Sequence, residues 1–369
     1  MRATFFATTL TMFGLCAHAE HFGPVEVLHR LELPKGDTGP LGWALNEVSA
    51  IEYLPEYGVL LALSDDRSEN GPARVAVIEA RFDPAGRPEF GELRWRALTS
   101  PAGGGFKTDT VDPEGLRLIA MRPATPSVDD RFVVLIASEG YGRGGLAPSL
   151  FEVPFDHTAS TGYAAPANFA PARPGIGIDH NRGFESLAVW HTPDGWVAFT
   201  ANEEPLRQDR PDPQTNAGPG VVRLVTYENG QPVLQQGYPL GPGLPGDKPG
   251  SHALAELLAL DARTMLALEN AKGADDAGRA RLYWTTTQGA TDLRDVRSTR
   301  DDGLDGHHLM PKVLIADFAD LGIDARADDW EGMSFGPTLP SGERTLLVCE
   351  DNSGDGPNRL VVLKLGTMP

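Results

Sequence analysis

The sequence predicts an all-β protein, a β-propeller built from four-stranded blades. A short motif with a glutamate ahead of an apolar run occurs five times, further strand-like runs follow each copy, and no helical periodicity separates the units. Units of this length and composition, repeated in series, are typical of propellers. A pair of β-sandwiches would also contain many short strands, but it does not predict the five-fold spacing.

The repeated motif is predicted to form the first strand of each blade. Its glutamates are separated by 67, 71, 71 and 75 residues. The five copies are NEVSAIEYL from Asn46, PEGLRLIAM from Pro113, FESLAVWHT from Phe184, AELLALDA from Ala255 and WEGMSFGPT from Trp330.

A second apolar run follows each motif after a turn and is predicted to be the second strand. These runs end at or directly after acids or amides, at Asp66, Gly140 (which follows Glu139), Glu204, Asn270 and Asn352. Two more strand-like runs complete most units, such as ARVAVIEARF and FGELRWRAL in the first. Turns rich in Gly, Pro and Asp connect the runs, as expected between antiparallel strands.

The fifth unit lacks one strand, because the last run of the chain is RLVVLKL at residues 359–365. The early run VEVLHRLEL at residues 25–33 can supply it. Pairing the first strand of the chain with the last unit closes the ring and removes its open edges. We therefore expect five blades, with six as the alternative if the segment 271–320 contains an extra one.

The first residues indicate export. Arg2, an apolar stretch at residues 3–15 and the small-residue pattern Ala17-His18-Ala19 are typical of a secretory signal peptide that is cut after Ala19. Soluble export is preferred over lipid anchoring at Cys16, because Phe13, Gly14 and Leu15 are not the small residues that precede a lipidated cysteine. The predicted organisation is a signal peptide at 1–19 and a single propeller domain at 20–369, in a periplasmic or secreted monomer.

Charge and cysteine content narrow the possible partners. The chain has 51 Asp and Glu against 32 Lys and Arg, a formal net charge of −19, so nucleic acid is not an expected partner. No apolar segment after the leader is long enough to cross a bilayer. Cys349 is the only cysteine that follows the predicted leader, so no internal disulfide is expected.

Propeller geometry predicts where the acids lie. The first strand of a blade lines the channel and the second runs antiparallel to it, so the start of one and the end of the other share a face. A mouth of the channel lined by carboxylates suits a hard cation, and Ca²⁺ is the expected cofactor. Alternatively, each glutamate accepts backbone N–H groups from a neighbouring blade and has an architectural role. The predicted metal ligands are Glu47, Glu114, Glu185, Glu256 and Glu331 from the motif, and Glu139, Glu203, Glu269, Glu350 and Asp351 from the second runs.

Several of these stretches resemble a known family. DPEGLRL with ASEG, NRGFESLAV with ANEE, ELLALDARTMLALEN, and DWEGMSFG with LLVCEDN are similar to the phytase-like domain of exported bacterial proteins, the esterase-like activity of phytase family. The resemblance covers about Val25 to Leu365 and implies a propeller related to the alkaline, Ca²⁺-dependent phytases, with hydrolysis of phosphoesters or esters. A DDPA-type acidic-proline motif, found in propeller phytases, is absent, which counts against phytate as the substrate but not against the fold.

The expected chemistry is metal-assisted hydrolysis of a small-molecule ester or phosphoester. The sequence contains no GxSxG elbow, HExxH motif or Walker loop. The predicted catalytic residues are the carboxylates Glu331, Glu185 and Asp66 and the cations Arg67 and Arg182, of which Arg182 could hold an anionic group. A carboxylic ester or lactone hydrolase with the same channel metal, and a non-catalytic binding propeller, are the alternatives.

Overall fold

The fold is a five-bladed β-propeller. The computed structural model describes residues 23–35, 43–45, 47–123, 127–211, 220–241, 251–274, 277–324, 329–351 and 357–367. These residues form twenty strands in five four-stranded antiparallel sheets, with short 3₁₀ turns and no α-helix. The predicted leader lies outside them. None of their helical turns has the length and apolar character needed to span a membrane.

Each sheet is one blade, and its strands are numbered from the N-terminus. The first blade contains β2 (Val48–Leu54), β3 (Val59–Ser64), β4 (Arg74–Phe82) and β5 (Pro88–Ala97). The second contains β6 (Pro113–Met121), β7 (Phe132–Ser138), β8 (Ser149–Pro154) and β9 (Thr161–Ala164). The third contains β10 (Phe184–Thr192), β11 (Gly195–Asn202), β12 (Val221–Glu228) and β13 (Gln231–Pro239). The fourth contains β14 (Ala253–Ala259), β15 (Thr264–Lys272), β16 (Gly278–Thr286) and β17 (Lys312–Asp317).

The fifth blade combines both ends of the chain. Its order is β18 (Asp329–Thr338), β19 (Arg344–Asp351), β20 (Arg359–Lys364) and β1 (Glu26–Glu32). Strand β1 pairs antiparallel with β20, so that Leu31 lies opposite Leu360. The prediction that the N-terminal strand closes the ring is confirmed. Five blades are also confirmed, because the segment 271–320 adds β16 and β17 to the fourth blade and no further sheet within its described part.

The core lies between blades rather than inside one of them. Strands β3, β4, β6 and β7 contribute to a single buried cluster between the first and second blades, which includes Leu61, Val75 and Ile136. Between the fourth and fifth blades, the fully buried Trp330 meets Phe318 edge to face, with ring centroids 5.5 Å apart. This packing brings the innermost strands β2, β6, β10, β14 and β18 into contact around the channel.

A β-bulge near the start of every innermost strand decides which side chains reach the channel mouth. The pairing register skips one residue in each of these strands. A bulge leaves the extra residue out of the ladder and redirects its side chain. The skipped residues are Ser49, Glu114, Glu185, Ala255 and Glu331.

The bulges correct the predicted equivalence of the five motif glutamates. Glu114, Glu185 and Glu331 occupy equivalent positions. Glu47 precedes β2 and lies two residues before the bulged Ser49, whereas Glu256 follows the bulged Ala255 by one residue. The motif alignment was therefore wrong at these two residues, because strand pairing, rather than the local sequence, sets the bulge.

Candidate functional site

The ends of the second strands meet the starts of the first strands at one mouth of the channel. In three neighbouring blades a backbone hydrogen bond joins the two segments. The N–H groups of Asp65, Glu139 and Glu203 donate to the carbonyl groups of Glu47, Asp112 and Gly183 at 2.7, 2.9 and 2.9 Å. Acids from separate parts of the chain are thereby brought to the same place.

Five carboxylates from three blades form the acidic cluster, defined as Asp65, Asp112, Glu114, Glu139 and Glu185. Carboxylate oxygen atoms of Asp65, Asp112 and Glu114 lie within 4.8 Å of one another. Oxygen atoms of Glu114, Glu139 and Glu185 form a second group of the same size. Glu114 belongs to both groups and is the centre of the cluster.

The carboxylate oxygen atoms of the acidic cluster are largely buried, and several of them have no hydrogen-bond donor among the described residues. Asp112 and Glu139 are each 1% exposed, and Glu114 is 6% exposed. One oxygen of Glu139 accepts the N–H of Gly183 at 3.2 Å. Within the described residues, no hydrogen-bond donor reaches its other oxygen or Oδ1 of Asp65. Buried polar atoms of this kind usually have a partner, which here would be a proton or a cation.

Burial raises the pKa of all five carboxyl groups. The pKa values of Asp65, Glu114, Glu139 and Glu185 are raised well above their usual range, first by burial and then by the neighbouring carboxylates. Burial also raises the pKa of Asp112, although Arg67 opposes this shift. Like charges that cannot separate must take up protons or bind a cation.

Two arginines flank the acidic cluster. Nε of Arg67 lies 2.9 Å from Oδ1 of Asp112, and its guanidinium lies 5.8 Å from the ring centre of Tyr141. Arg182 pairs with Glu203 at 2.6 Å and with Glu204 at 3.1 Å, and its side chain is 44% exposed. With the Arg182 partners Glu203 and Glu204 included, two guanidinium groups face seven carboxyl groups, so the arginines can neutralise only a minority of them.

Asp66, predicted to be catalytic, stabilises a turn. Its carboxylate accepts the N–H groups of Glu69 at 2.8 Å and Asn70 at 3.2 Å, and Nη1 of Arg74 at 2.7 Å. These three donors use both of its oxygen atoms. Its neighbour Asp65 belongs to the acidic cluster instead.

Two predicted ligands are engaged in ion pairs outside the acidic cluster. Glu269 pairs with Lys312 and accepts the hydroxyl of Tyr238 at 2.5 Å, which links the third and fourth blades. Glu350 pairs with Arg359, within the fifth blade. Both glutamates therefore have a basic partner of their own outside the acidic cluster.

The other predicted residues surround the acidic cluster. Glu331 raises the pKa of Glu185, and Asp351 raises that of Asp65, so both act on the cluster electrostatically. Glu203 raises the pKa of Glu139 and is held by Arg182. The pKa of Glu47 is itself raised, by burial and by Asp66.

A second charged group, the channel cluster, lies deeper in the channel and consists of Glu52, Arg117 and Glu256. Nη2 of Arg117 lies 2.9 Å from Oε2 of Glu256. Burial raises the pKa of Glu52 and of Glu256 to about 7, against the lowering effect of Arg117. Glu256, predicted as a metal ligand, therefore has a basic partner of its own.

Sequence reasoning missed three residues of these two clusters, Asp112, Glu52 and Arg117, and it placed Asp65 at the mouth of the channel without naming it as a ligand. Asp112 had a signal, because it immediately precedes the motif PEGLRLIAM. Glu52 and Arg117 are charged residues inside strand-like runs that are otherwise mostly apolar. A charged side chain in such a run needs a partner or a function, and that signal could have identified both.

Comparison with known proteins decides the family. The sequence profile described as "Phytase-like: Esterase-like activity of phytase" matches residues 44–354, most of the chain. The chain belongs to the phytase-like family. The matched span contains both clusters of this phytase-like propeller and both flanking arginines. Its resemblance to the family is thereby confirmed.

Other comparisons add little. No curated protein sequence matches the chain. The catalytic domain of a GH62 α-L-arabinofuranosidase from Coprinopsis cinerea is similar at 14% identity and a TM-score of 0.42, covering 94% of this chain and 98% of the other. A protein of unknown function from Dyadobacter fermentans is similar at 9% identity and a TM-score of 0.37, covering 92% and 99%. Neither similarity bears on the activity of the phytase-like chain.

Proposed function

We propose that this protein is a Ca²⁺-dependent hydrolase of small phosphoesters, with its active site at the acidic cluster. One observation carries the proposal. Two sets of three carboxylates have Glu114 in common, and some of their oxygen atoms are buried with no hydrogen-bond donor from the described residues. Membership of the phytase-like family supports the reaction class.

The residues of the acidic cluster fit Ca²⁺ better than a softer metal. Every side chain in the two groups is a carboxylate, and hard cations with six to eight oxygen ligands prefer such donors. Zinc sites usually include Cys or His, which both groups lack. Asp65, Asp112, Glu114, Glu139 and Glu185 would hold the ion. When bound, Ca²⁺ supplies Lewis acidity and neutralises the excess negative charge.

Arg182 and Arg67 are proposed to orient the anionic part of the substrate. Arg182 has the more exposed side chain of the two, and it can exchange a surface carboxylate for a phosphate oxygen at small cost. Arg67 is more buried and holds Asp112, so its proposed role is to keep that ligand in place as well as to attract the anion.

Glu331 is proposed to accept the proton of the attacking water. Glu331 lies outside both sets of three carboxylates in the acidic cluster, but its charge raises the pKa of Glu185. A carboxylate can serve as the general base of a hydrolysis, and the proposed place of Glu331 is beside the ligands rather than among them.

The charge of the mouth explains why the proposed activity requires the cation. The carboxylates of the acidic cluster repel an anionic phosphate more strongly than two arginines, both already paired, can attract it. A carboxylic ester or lactone carries no such charge and would not meet this barrier. The requirement for Ca²⁺ should therefore be stricter for phosphoesters than for neutral esters.

Hydrolysis of p-nitrophenyl phosphate and of p-nitrophenyl acetate by the purified protein, in EDTA and in added Ca²⁺, tests the proposal. Phosphate release that is absent in EDTA and restored by Ca²⁺ supports it. Turnover of the acetate alone would replace the phosphoester by a carboxylic ester as substrate. No turnover of either, with Ca²⁺ bound, would leave the propeller as a binding protein.

A further inference from the structure

Arg117 connects three blades across the channel. It lies on β6 in the second blade, and its Nη1 donates to the carbonyl of Ile51 in the first blade at 3.3 Å. Its Nη2 donates to the carbonyl of Leu257 in the fourth blade at 2.8 Å and pairs with Glu256 in the same strand. The second and fourth blades are not neighbours in the ring, so this one side chain spans the channel.

The two glutamates of the channel cluster hold the strands that carry the central residues of the acidic cluster. Glu52 accepts the N–H of Leu118, which follows Glu114 by four residues in β6. Glu256 accepts the N–H of Leu187 at 2.9 Å, and Leu187 follows Glu185 by two residues in β10. Strands β6 and β10 are each the inner edge of their sheet, where no further strand pairs with these N–H groups.

We infer that Arg117 is a positioning residue, which sets the separation of Glu114 and Glu185 through Glu256 and the backbone of β10. The side chain of Arg117 is 3% exposed and lies outside both sets of three carboxylates that form the acidic cluster. The inference rests on the proposed function, because it assigns Arg117 a part in cation affinity without contact with the cation. A displacement of β10 relative to β6 would change the distance between two ligands, and cation binding is sensitive to such a change.

Arg117→Lys tests the inference, because lysine keeps the positive charge but has one nitrogen where arginine has a planar group with several donors in fixed directions. Arg281→Lys is the matched control. Arg281 lies on β16 in the fourth blade, 5% exposed, with its Nε 2.8 Å from Oδ2 of Asp317. Both substitutions disturb a buried arginine–carboxylate pair, but only the first involves the strands of the acidic cluster.

The first readout is the Kd for Ca²⁺ by titration calorimetry. We expect Arg117→Lys to weaken Ca²⁺ binding at least ten-fold and Arg281→Lys to change it less than two-fold. Equal affinities for the wild-type protein and Arg117→Lys would overturn the inference and leave the proposed function intact. If Arg117→Lys does not fold, Glu256→Gln replaces it, since glutamine still accepts the N–H of Leu187 but loses the charge that attracts Arg117.

The second readout does not need a bound metal. Hydrogen exchange of the Leu118 and Leu187 amides is measured in EDTA by NMR. We expect faster exchange in Arg117→Lys and unchanged exchange in Arg281→Lys. If the wild-type protein binds no Ca²⁺ and the exchange result still holds, the proposed function fails while the coupling of β6 and β10 through Arg117 stands. Unchanged exchange at both amides would overturn the coupling.

Discussion

Replacement of Glu114 by glutamine should abolish the stabilisation of the protein by Ca²⁺. Glu114 is the carboxylate common to both groups of the acidic cluster, and its pKa is raised by burial and by Asp65, Glu185 and other neighbours. Without metal, the substitution removes one buried charge that the fold must neutralise, so the melting temperature in EDTA should stay the same or rise. With Ca²⁺, it removes the central ligand, so stabilisation by the metal should be lost.

The size of the effect follows from ligand linkage. Ca²⁺ at one hundred times its Kd stabilises the native state by about 2.7 kcal/mol. The entropy of unfolding is about 2.1 cal/mol/K per residue, or roughly 0.7 kcal/mol/K for a fold of about 340 residues. The melting temperature of the wild-type protein should therefore rise by about 4 °C in saturating Ca²⁺, and that of Glu114→Gln by less than about 1 °C.

Differential scanning calorimetry at pH 8, in EDTA and in Ca²⁺, measures both effects. Glu56→Gln is the matched control, because Glu56 is an exposed residue in the turn between β2 and β3 and carries the same charge. The control should keep the full response to Ca²⁺. An equal rise in the wild-type protein and in Glu114→Gln would refute the assignment of the acidic cluster as the cation site.

Three further predictions concern the channel, the reaction and the mouth. Because the pKa of Glu256 is raised from 4.5 to about 7, the native state holds a proton at Glu256 that the unfolded chain releases. The contribution of Glu256 to the free energy of unfolding in EDTA should therefore fall as pH rises from about 4.5 to 7 and level off above. Urea titrations at each pH measure this decrease, and Glu256→Gln should make it smaller by about 3 kcal/mol. An equal decrease in the wild-type protein and in Glu256→Gln would contradict the pKa shift. Glu331→Gln should lower kcat for p-nitrophenyl phosphate by about 10²-fold or more while the Kd for Ca²⁺ changes little; loss of Ca²⁺ binding would make Glu331 a ligand instead. Arg182→Ala should raise KM for the phosphate several-fold and leave hydrolysis of a neutral ester unchanged, whereas equal effects on both would argue against a contact with the anion.

The architecture could be read from the sequence because it depends on local patterns that repeat. Each blade needs apolar runs of strand length separated by turn residues, and the motif marks the start of each inner strand to within two residues. The closing pair of β1 with β20 was also predictable, because an unpaired strand at one end of the chain and an incomplete blade at the other satisfy each other.

The composition of the site depended on contacts that no local pattern specifies. Asp65 and Asp66 are adjacent and chemically alike, yet Arg74 and two backbone N–H groups hold Asp66 in a turn while Asp65 joins the acidic cluster. Glu256 and Glu185 occur in similar motifs, yet the bulge lies at Ala255 in one strand and at Glu185 in the other.

The sequence alone thus determined the blades, their closure and the face of the propeller at which acids gather, because strand periodicity and repeat spacing are local properties. Only the tertiary structure decided which acids form the acidic cluster and which are paired with arginine or lysine. The physical reason is that a buried carboxylate is defined by the charges and donors within a few ångströms of it. In a propeller, those neighbours come from other blades, as Arg117 does for Glu256.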